Sequence, residues 1–225
     1  MVALFGDSLA WEARSYFSSL LGPTGATPLT YTRRGSAICD FLDTMRSVED
    51  RFHPRAVEIE FSGNALTPCM RGYVPPSDSY FEKYRADTLT AIGIFAGSGS
   101  HVYLIGAPID RDHASEPNWD RLNNQYRAIA AADPDHVTYV DAGAAVEGPG
   151  HTFTSTLPCL VDEPCTGPVV SGVPSNVVRA PDGDHFCPVE KYPQLGIIGP
   201  CPVYSSGAYR YAFAMVSALS AGLPS

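Results

Sequence analysis

Val2-Ala3-Leu4-Phe5-Gly6-Asp7-Ser8-Leu9, residues 2–9, decides how the rest of the chain is read. Four apolar residues make a short buried strand, and Gly-Asp-Ser interrupts it. Leu9, Ala13, Tyr16, Phe17, Leu20 and Leu21 then recur at helical spacing until Gly22-Pro23 stops the helix. A strand, a tight turn and a helix at the start of the chain predict one half of a β-α-β unit. Ser8 stands at the turn.

The same alternation continues. Leu29–Thr32 reads as a second strand, ending at Arg33-Arg34-Gly35, and Ile38, Phe41, Leu42 and Met45 suggest a second helix. Ala56–Phe61 is a third strand, ending at Ser62-Gly63-Asn64, followed by helical spacing at Phe81, Tyr84, Thr88, Ile92 and Phe95. Val102–Ile105 and Val137–Val140 are the fourth and fifth strands, with Trp119, Leu122, Tyr126 and Ile129 on a helix between them. A last helix carries Tyr211, Met215, Val216 and Leu219. Repeated β-α alternation implies a parallel sheet covered on both faces. The predicted fold is a three-layer α/β/α flavodoxin-like sandwich, its five-stranded parallel sheet ordered 2-1-3-4-5. One domain is expected over residues 1–225. Residues 147–202, rich in Pro, Gly and Cys, read as a long loop region, of the kind that is usually functional or tied down.

In that strand order, strand one lies between strands two and three, and ligands bind beyond the carboxyl ends of such strands. Ser8, Gly35 and Asn64 would converge there. Ser8 sits at a helix N-terminus, which favours anions. Gly35 offers a backbone N–H at close approach, and Asn64 an amide donor. Together they suit the oxyanion of an acyl-transfer intermediate, where each such donor is worth about 3–4 kcal/mol. The base comes late, in Pro181-Asp182-Gly183-Asp184-His185-Phe186. His185 would deprotonate Ser8, and Asp182 would hold the imidazole in its working tautomer. Asp184 is the rival orienting acid by spacing.

These blocks resemble the SGNH, or GDSL, hydrolase family over nearly the whole chain, Gly6 to His185. The resemblance implies Ser8 as nucleophile, the Ser8 and Gly35 N–H groups and Asn64 as oxyanion donors, and Asp182 and His185 as acid and base. The family's third block usually reads Gly-x-Asn-Asp, whereas Ser62-Gly63-Asn64-Ala65 lacks the final Asp. Arg179 to Phe186 and the cysteines look like exported actinobacterial members. Related modules occur fused to membrane acyltransferases that modify cell-surface glycans. The expected activity is hydrolysis of a short acyl ester on carbohydrate or lipid. The alternatives are transfer of that acyl group to a cell-surface glycan, and a catalytically inactive glycan-binding module. The Gly-x-Ser-x-Gly elbow of the α/β-hydrolases is absent.

The net charge is −9 and no basic run exceeds Arg33-Arg34, which argues against nucleic acid and anionic membranes as partners. Arg33, Arg34 and Arg71 flank the expected crevice as candidate contacts for an anionic substrate. No cofactor is expected. No metal is expected either, because His185, Asp184 and Cys187 lack the paired ligands of a zinc site. His53, His101, His113, His136 and His151 fall at element ends or in loops and read as solvated or structural.

The six cysteines lie in loops or at element ends and point to an oxidising compartment. Fifteen full pairings are open. Proximity suggests Cys159–Cys165 and Cys187–Cys201, leaving Cys39–Cys69. The expected location is extracytoplasmic (secreted, periplasmic or facing the cell wall), with a signal or another domain preceding residue 1. No stretch approaches the roughly 18 apolar residues of a membrane span, though the domain could belong to a longer membrane-anchored protein.

Overall fold

The structure, a computed structural model, describes residues 1–116, 119–187, 201 and 203–222. Five parallel strands form the sheet: β1 (Val2–Gly6), β2 (Pro28–Thr32), β3 (Ala56–Glu60), β4 (His101–Ile105) and β5 (Val137–Val140). Their order is β2-β1-β3-β4-β5, as the sequence predicts. Helices α1 (Ser8–Leu21) and α5 (Ser206–Gly222) cover one face, and α2 (Leu42–Phe52), α3 (Asp78–Ala96) and α4 (Arg121–Ala132) the other.

The pleat sorts the side chains. Val2, Leu4, Tyr103 and Ile105 pack against Leu9, Phe17, Tyr211 and Met215 of α1 and α5. Ala3, Phe5, Val57, Ile59 and Leu104 pack against Met45, Tyr84, Phe95 and Tyr126 of α2 to α4. Strands β1 and β3 are buried along their whole length, as expected of parallel strands covered on both faces, and β1 is apolar throughout up to Gly6. Glu58 and Glu60 break that rule, for both are buried in β3 on the α1–α5 side.

Local chemistry sets the element ends. Asp7 caps α1, its carboxylate accepting from the Leu9 N–H at 3.0 Å. Gly6 lets α1 start close to β3, since a Cβ there would meet Ala10 Cβ at 2.4 Å and the Glu60 carbonyl oxygen at 2.8 Å. The expected second helix is divided. A 3₁₀ turn spans Ile38–Asp40, and α2 begins only at Leu42 after Phe41 with φ −111°. Apolar spacing is the same on both sides of that break, so periodicity alone does not reveal it.

Of residues 147–202, the described part holds more regular structure than a loop. Strands β6 (Thr156–Pro158), β7 (Val169–Val170) and β8 (Val173–Val177) form a small antiparallel sheet, ordered β6-β8-β7. They are short and interrupted by Pro and Gly, which hides their alternation. Side chains serve the remaining backbone. Buried Asn176 accepts from the Thr166 and Gly167 N–H groups at 2.8 and 3.2 Å and donates to the Pro164 carbonyl at 2.8 Å. Arg210 of α5 pairs with buried Glu163. Residues 188–200 and 202 of this region lie outside the described residues.

Disulfides join Cys39–Cys69, Cys159–Cys165 and Cys187–Cys201. Among the described residues, no helix is long and apolar enough to cross a membrane.

Candidate active site

The register of the sheet brings three loops together. Gly6 is the partner of Thr32 on β2 and of Glu60 on β3. Ser8, Gly35 and Asn64 therefore leave adjacent strands at the same edge, two, three and four residues beyond paired positions. Adjacent strands lie about 4.8 Å apart. Gly35 has φ +68°, a conformation that favours glycine, and is exposed beside the start of α1. Ser8 is buried to 7% exposure in the first turn of α1.

Asp7 organises this side. Besides capping α1, its fully buried carboxylate accepts from Ser62 N and Ser62 Oγ, both at 2.7 Å, and from Asn64 Nδ2 at 2.9 Å. One side chain thus orients the amide of Asn64 toward the segment that carries Ser8. The Asn64 loop is held from behind by α3. Tyr80 Oη donates to the Gly63 carbonyl at 2.7 Å and Tyr84 Oη to the Asn64 carbonyl at 2.8 Å. Gly63 has φ +115°, and a Cβ there would meet Tyr80 Oη at 2.6 Å. These tyrosines supply the local hydrogen bonding in a third block that lacks the usual Asp. Below Asp7, Glu60 accepts from Ala10 N at 3.1 Å and from Tyr211 Oη at 3.2 Å. Burial first, and then the neighbouring charge of Asp7, push the Glu60 carboxyl well above the usual range.

His185 lies in a tight turn. Its Nδ1 donates to Asp182 Oδ2 at 2.9 Å, while Asp184 Oδ2 stands 3.8 Å away, so the hydrogen-bonded partner is Asp182. Asp182 Oδ1 also accepts from the Asp184 and His185 N–H groups, at 3.0 and 3.1 Å. Burial opposes the charge on both groups. For Asp182 the hydrogen bonds prevail and hold the carboxyl far below its ordinary range. For His185 the hydrogen bond to Asp182 and the charges of Asp184 and Glu12 prevail, and the imidazole is pushed up to about 9.

The turn is fastened on every side. Arg111 donates to the Pro181 and Asp182 carbonyls at 2.9 and 2.7 Å. Buried Arg179 donates to the Asp184 carbonyl at 2.9 Å and to that of Ile109 at 2.7 Å. Ser205 Oγ donates to the Phe186 carbonyl at 2.8 Å. Glu12 of α1, fully buried, accepts from Phe186 N at 2.6 Å and Cys187 N at 3.2 Å through one oxygen, Oε2. Ser8 and Glu12 are four residues apart and share a helix face. The turn that bears His185 is therefore moored one helical turn from Ser8.

Sequence reasoning missed Glu12, Arg111, Arg179 and the clamping role of Asp7. One signal was present for Glu12, a carboxylate amid the apolar positions Leu9, Ala13 and Phe17. The arginines of the expected crevice are partly committed elsewhere. Arg33 pairs with Asp40 at 3.1 Å. Arg34 lies over the Trp11 ring at 5.1 Å. Arg71 lines a separate surface hollow with Ala65 to Pro68. His53, His113, His136 and His151 each pair with a nearby carboxylate, and His101 with Thr138. Glu12, Cys187 and Cys201 approach one another as metal ligands would, but the two sulfurs are bonded to each other and offer no thiolate. A polar cleft of about 260 Å³ adjoins the site, lined among others by Asn64, Pro108, Asp110, His113, Asp182 and Asp184.

No family model matches this sequence, and no curated protein matches it by sequence. Solved structures match its shape. TesA is 16% identical, covering 99% of this chain and 100% of its own, with a TM-score of 0.61. The C-terminal catalytic domain of peptidoglycan O-acetyltransferase A from Streptococcus pneumoniae, solved with a methylsulfonyl adduct, is 17% identical, covering 98% and 92%, with a TM-score of 0.57. A GDSL-like lipase from Bacteroides thetaiotaomicron is 12% identical, covering 99% and 88%, with a TM-score of 0.59. At these identities the likeness is one of fold.

Proposed function

We propose that this protein is a serine esterase that works through an acyl-enzyme on Ser8. The observation that carries the reading is the mooring of the Asp182–His185 pair, through Phe186 and Cys187, to the helix that begins at Ser8. With Nδ1 committed to Asp182, Nε2 is the ring nitrogen that takes the Ser8 proton as Oγ attacks the acyl carbon. The oxyanion of the tetrahedral intermediate is met by the N–H groups of Ser8 and Gly35 and by the Nδ2 of Asn64. His185 then protonates the departing alcohol. In the second half, water gives its proton to His185 and attacks the acyl-enzyme, which releases the acid and restores Ser8.

The polar cleft beside Asn64 and Asp182 suits a hydroxyl-rich alcohol better than a long acyl chain, so the proposed substrate is a short acyl ester of a carbohydrate. Transfer of the acyl group to a glycan hydroxyl is the second reading. It is favoured by the open cleft and by likeness to a peptidoglycan O-acetyltransferase domain. Three disulfides support an extracytoplasmic site of action.

Turnover of p-nitrophenyl acetate and fluorophosphonate labelling of the wild type and of Ser8→Ala test the reading. Labelling confined to the wild type is expected. Equal activity in both proteins would defeat the assignment of Ser8, and an unlabelled wild type would favour a binding module. Adding a glycan acceptor separates water from sugar, since only transfer yields acylated glycan.

A further inference from the structure

We propose that Glu12 is a positioning residue of this site: its buried carboxylate ties the chain at Phe186 and Cys187 to α1, and so sets where the His185 ring stands relative to Ser8. The inference rests on the esterase reading and extends it to a residue that need not touch substrate.

The geometry is specific. Glu12 Oε2 accepts two consecutive backbone N–H groups, Phe186 at 2.6 Å and Cys187 at 3.2 Å, across 174 and 175 positions of sequence. Hydrogen bonds to an ionised acceptor are about twice as strong as neutral ones, and they hold direction as well as distance. The residue they fix follows His185 directly. On the other side of His185, its own N–H is taken by Asp182, and its carbonyl accepts from Ala180 N at 2.7 Å. The turn is therefore rigid in itself, and Glu12 fixes it to the helix of the nucleophile. Arg111 and Arg179 moor the same turn to the segment after β4, the Cys187–Cys201 disulfide ties it to the chain before α5, and Ser205, which holds the Phe186 carbonyl, reaches α1 only through Tyr16 Oη. Of these contacts, Glu12 joins the turn to α1, where Ser8 stands.

Glu12 also faces His185 electrostatically. Among the described residues, the charged groups that act on the imidazole include Asp182 and Asp184 from its own turn and Glu12 from α1. Arg111 stands at the Pro181 and Asp182 carbonyls and Arg179 at that of Asp184. Asp7 and Asp110 act on Asp184. Glu12 thus has two separable effects, one through hydrogen bonds and one through charge. Glutamine keeps an acceptor oxygen for both N–H groups and removes the charge, whereas alanine removes both.

The test compares the wild type, Glu12→Gln, Glu12→Ala and Ser8→Ala in p-nitrophenyl acetate kinetics, fluorophosphonate labelling rate and thermal melting. Glu12→Ala should lose about 10²-fold in kcat and in labelling, with KM little changed, the scale of effect expected from a displacement near 1 Å. Glu12→Gln should keep kcat within about tenfold and shift the acid limb of kcat/KM to lower pH. Wild-type kcat in a folded Glu12→Ala overturns the proposal, as does an equal loss in both variants. If Glu12→Ala does not fold, Glu12→Gln decides: an unmoved acid limb or a loss of about 10²-fold overturns it. A wild type that neither turns over nor labels, like Ser8→Ala, removes the esterase reading and this inference with it.

Discussion

The two sides of the candidate site are built by different means. The nucleophile side is a product of the sheet. Ser8, Gly35 and Asn64 follow three adjacent parallel strands, and their proximity comes from backbone register, sharpened by one carboxylate, Asp7. The base side follows β8 of the small antiparallel sheet and stands on none of the five parallel strands. Residues 178–187 are held by side chains reaching from α1, from the segment after β4 and from the start of α5, and by a disulfide. Regular structure places groups through repeating main-chain hydrogen bonds. A loop must have each polar group satisfied individually. The nucleophile side should therefore fail through few residues with large effects, and the base side through graded losses.

The largest effect tests whether the two sides act as one unit. Ser8→Ala and His185→Ala should each lower kcat by about 10⁴-fold or more, and the double variant little further, as groups of one unit do. Steady-state kinetics on p-nitrophenyl acetate measures this, and additive losses would break the pairing.

The next is the pH profile of the base side. Only neutral imidazole accepts the Ser8 proton, and His185 is pushed up to about 9. Then kcat/KM should climb about tenfold per pH unit until it approaches 9. The same shift bears on stability. The raised group stabilises the fold fully below its ordinary 6.5 and ceases to as pH rises through about 9. A flat profile from pH 6 to 9 would contradict this electrostatic picture.

Asp7→Ala probes the nucleophile side. It strips the carboxylate from four donors, of which the Leu9 N–H and the Asn64 amide matter most to the site. A loss of about 3–5 kcal/mol in denaturant unfolding is expected, as for other disrupted buried networks, with activity falling alongside. Cys187→Ala with Cys201→Ala is the counterpart on the base side. Opening a loop with a sequence separation of 14 should cost about 3 kcal/mol and lower kcat less than Asp7→Ala does. The reverse ranking in kcat would overturn the contrast.

The smallest effect lies beneath both sides. Glu58 is fully buried, neither of its oxygens has a hydrogen-bond partner among the described residues, and burial drives its carboxyl well above the usual range. The unfolded chain ionises near 4.5, so the fold is penalised progressively as pH rises above that value. Glu58→Met should add about 1–3 kcal/mol of stability at neutral pH and leave kcat unchanged.

Much of this was legible in the chain. The strand-turn-helix of residues 2–21 and its recurrences followed from apolar spacing, the 2-1-3-4-5 order from the flavodoxin-like pattern that β-α alternation suggests, and the expected convergence of Ser8, Gly35 and Asn64 from that order. The pairing of Asp182 with His185 was what the resemblance to the SGNH family implied. Less legible were the break at Phe41, where spacing continues across a change of helix type, and β6 to β8, whose strands are too short to alternate. Spacing alone left Asp184 open beside Asp182, and in the structure only Asp182 lies within hydrogen-bond distance of the imidazole.

The sequence by itself determined the architecture and the residue types at the crevice, because buried parallel strands and amphipathic helices write their periodicity locally. Only the tertiary structure decided what ties the start of α1 to the segments that carry Asn64 and His185. Asp7 with Asn64 and Glu12 with Phe186 are contacts between residues 57 and 174 positions apart. Such contacts leave no local period, since they arise when packing forces a buried donor and a buried acceptor to find one another.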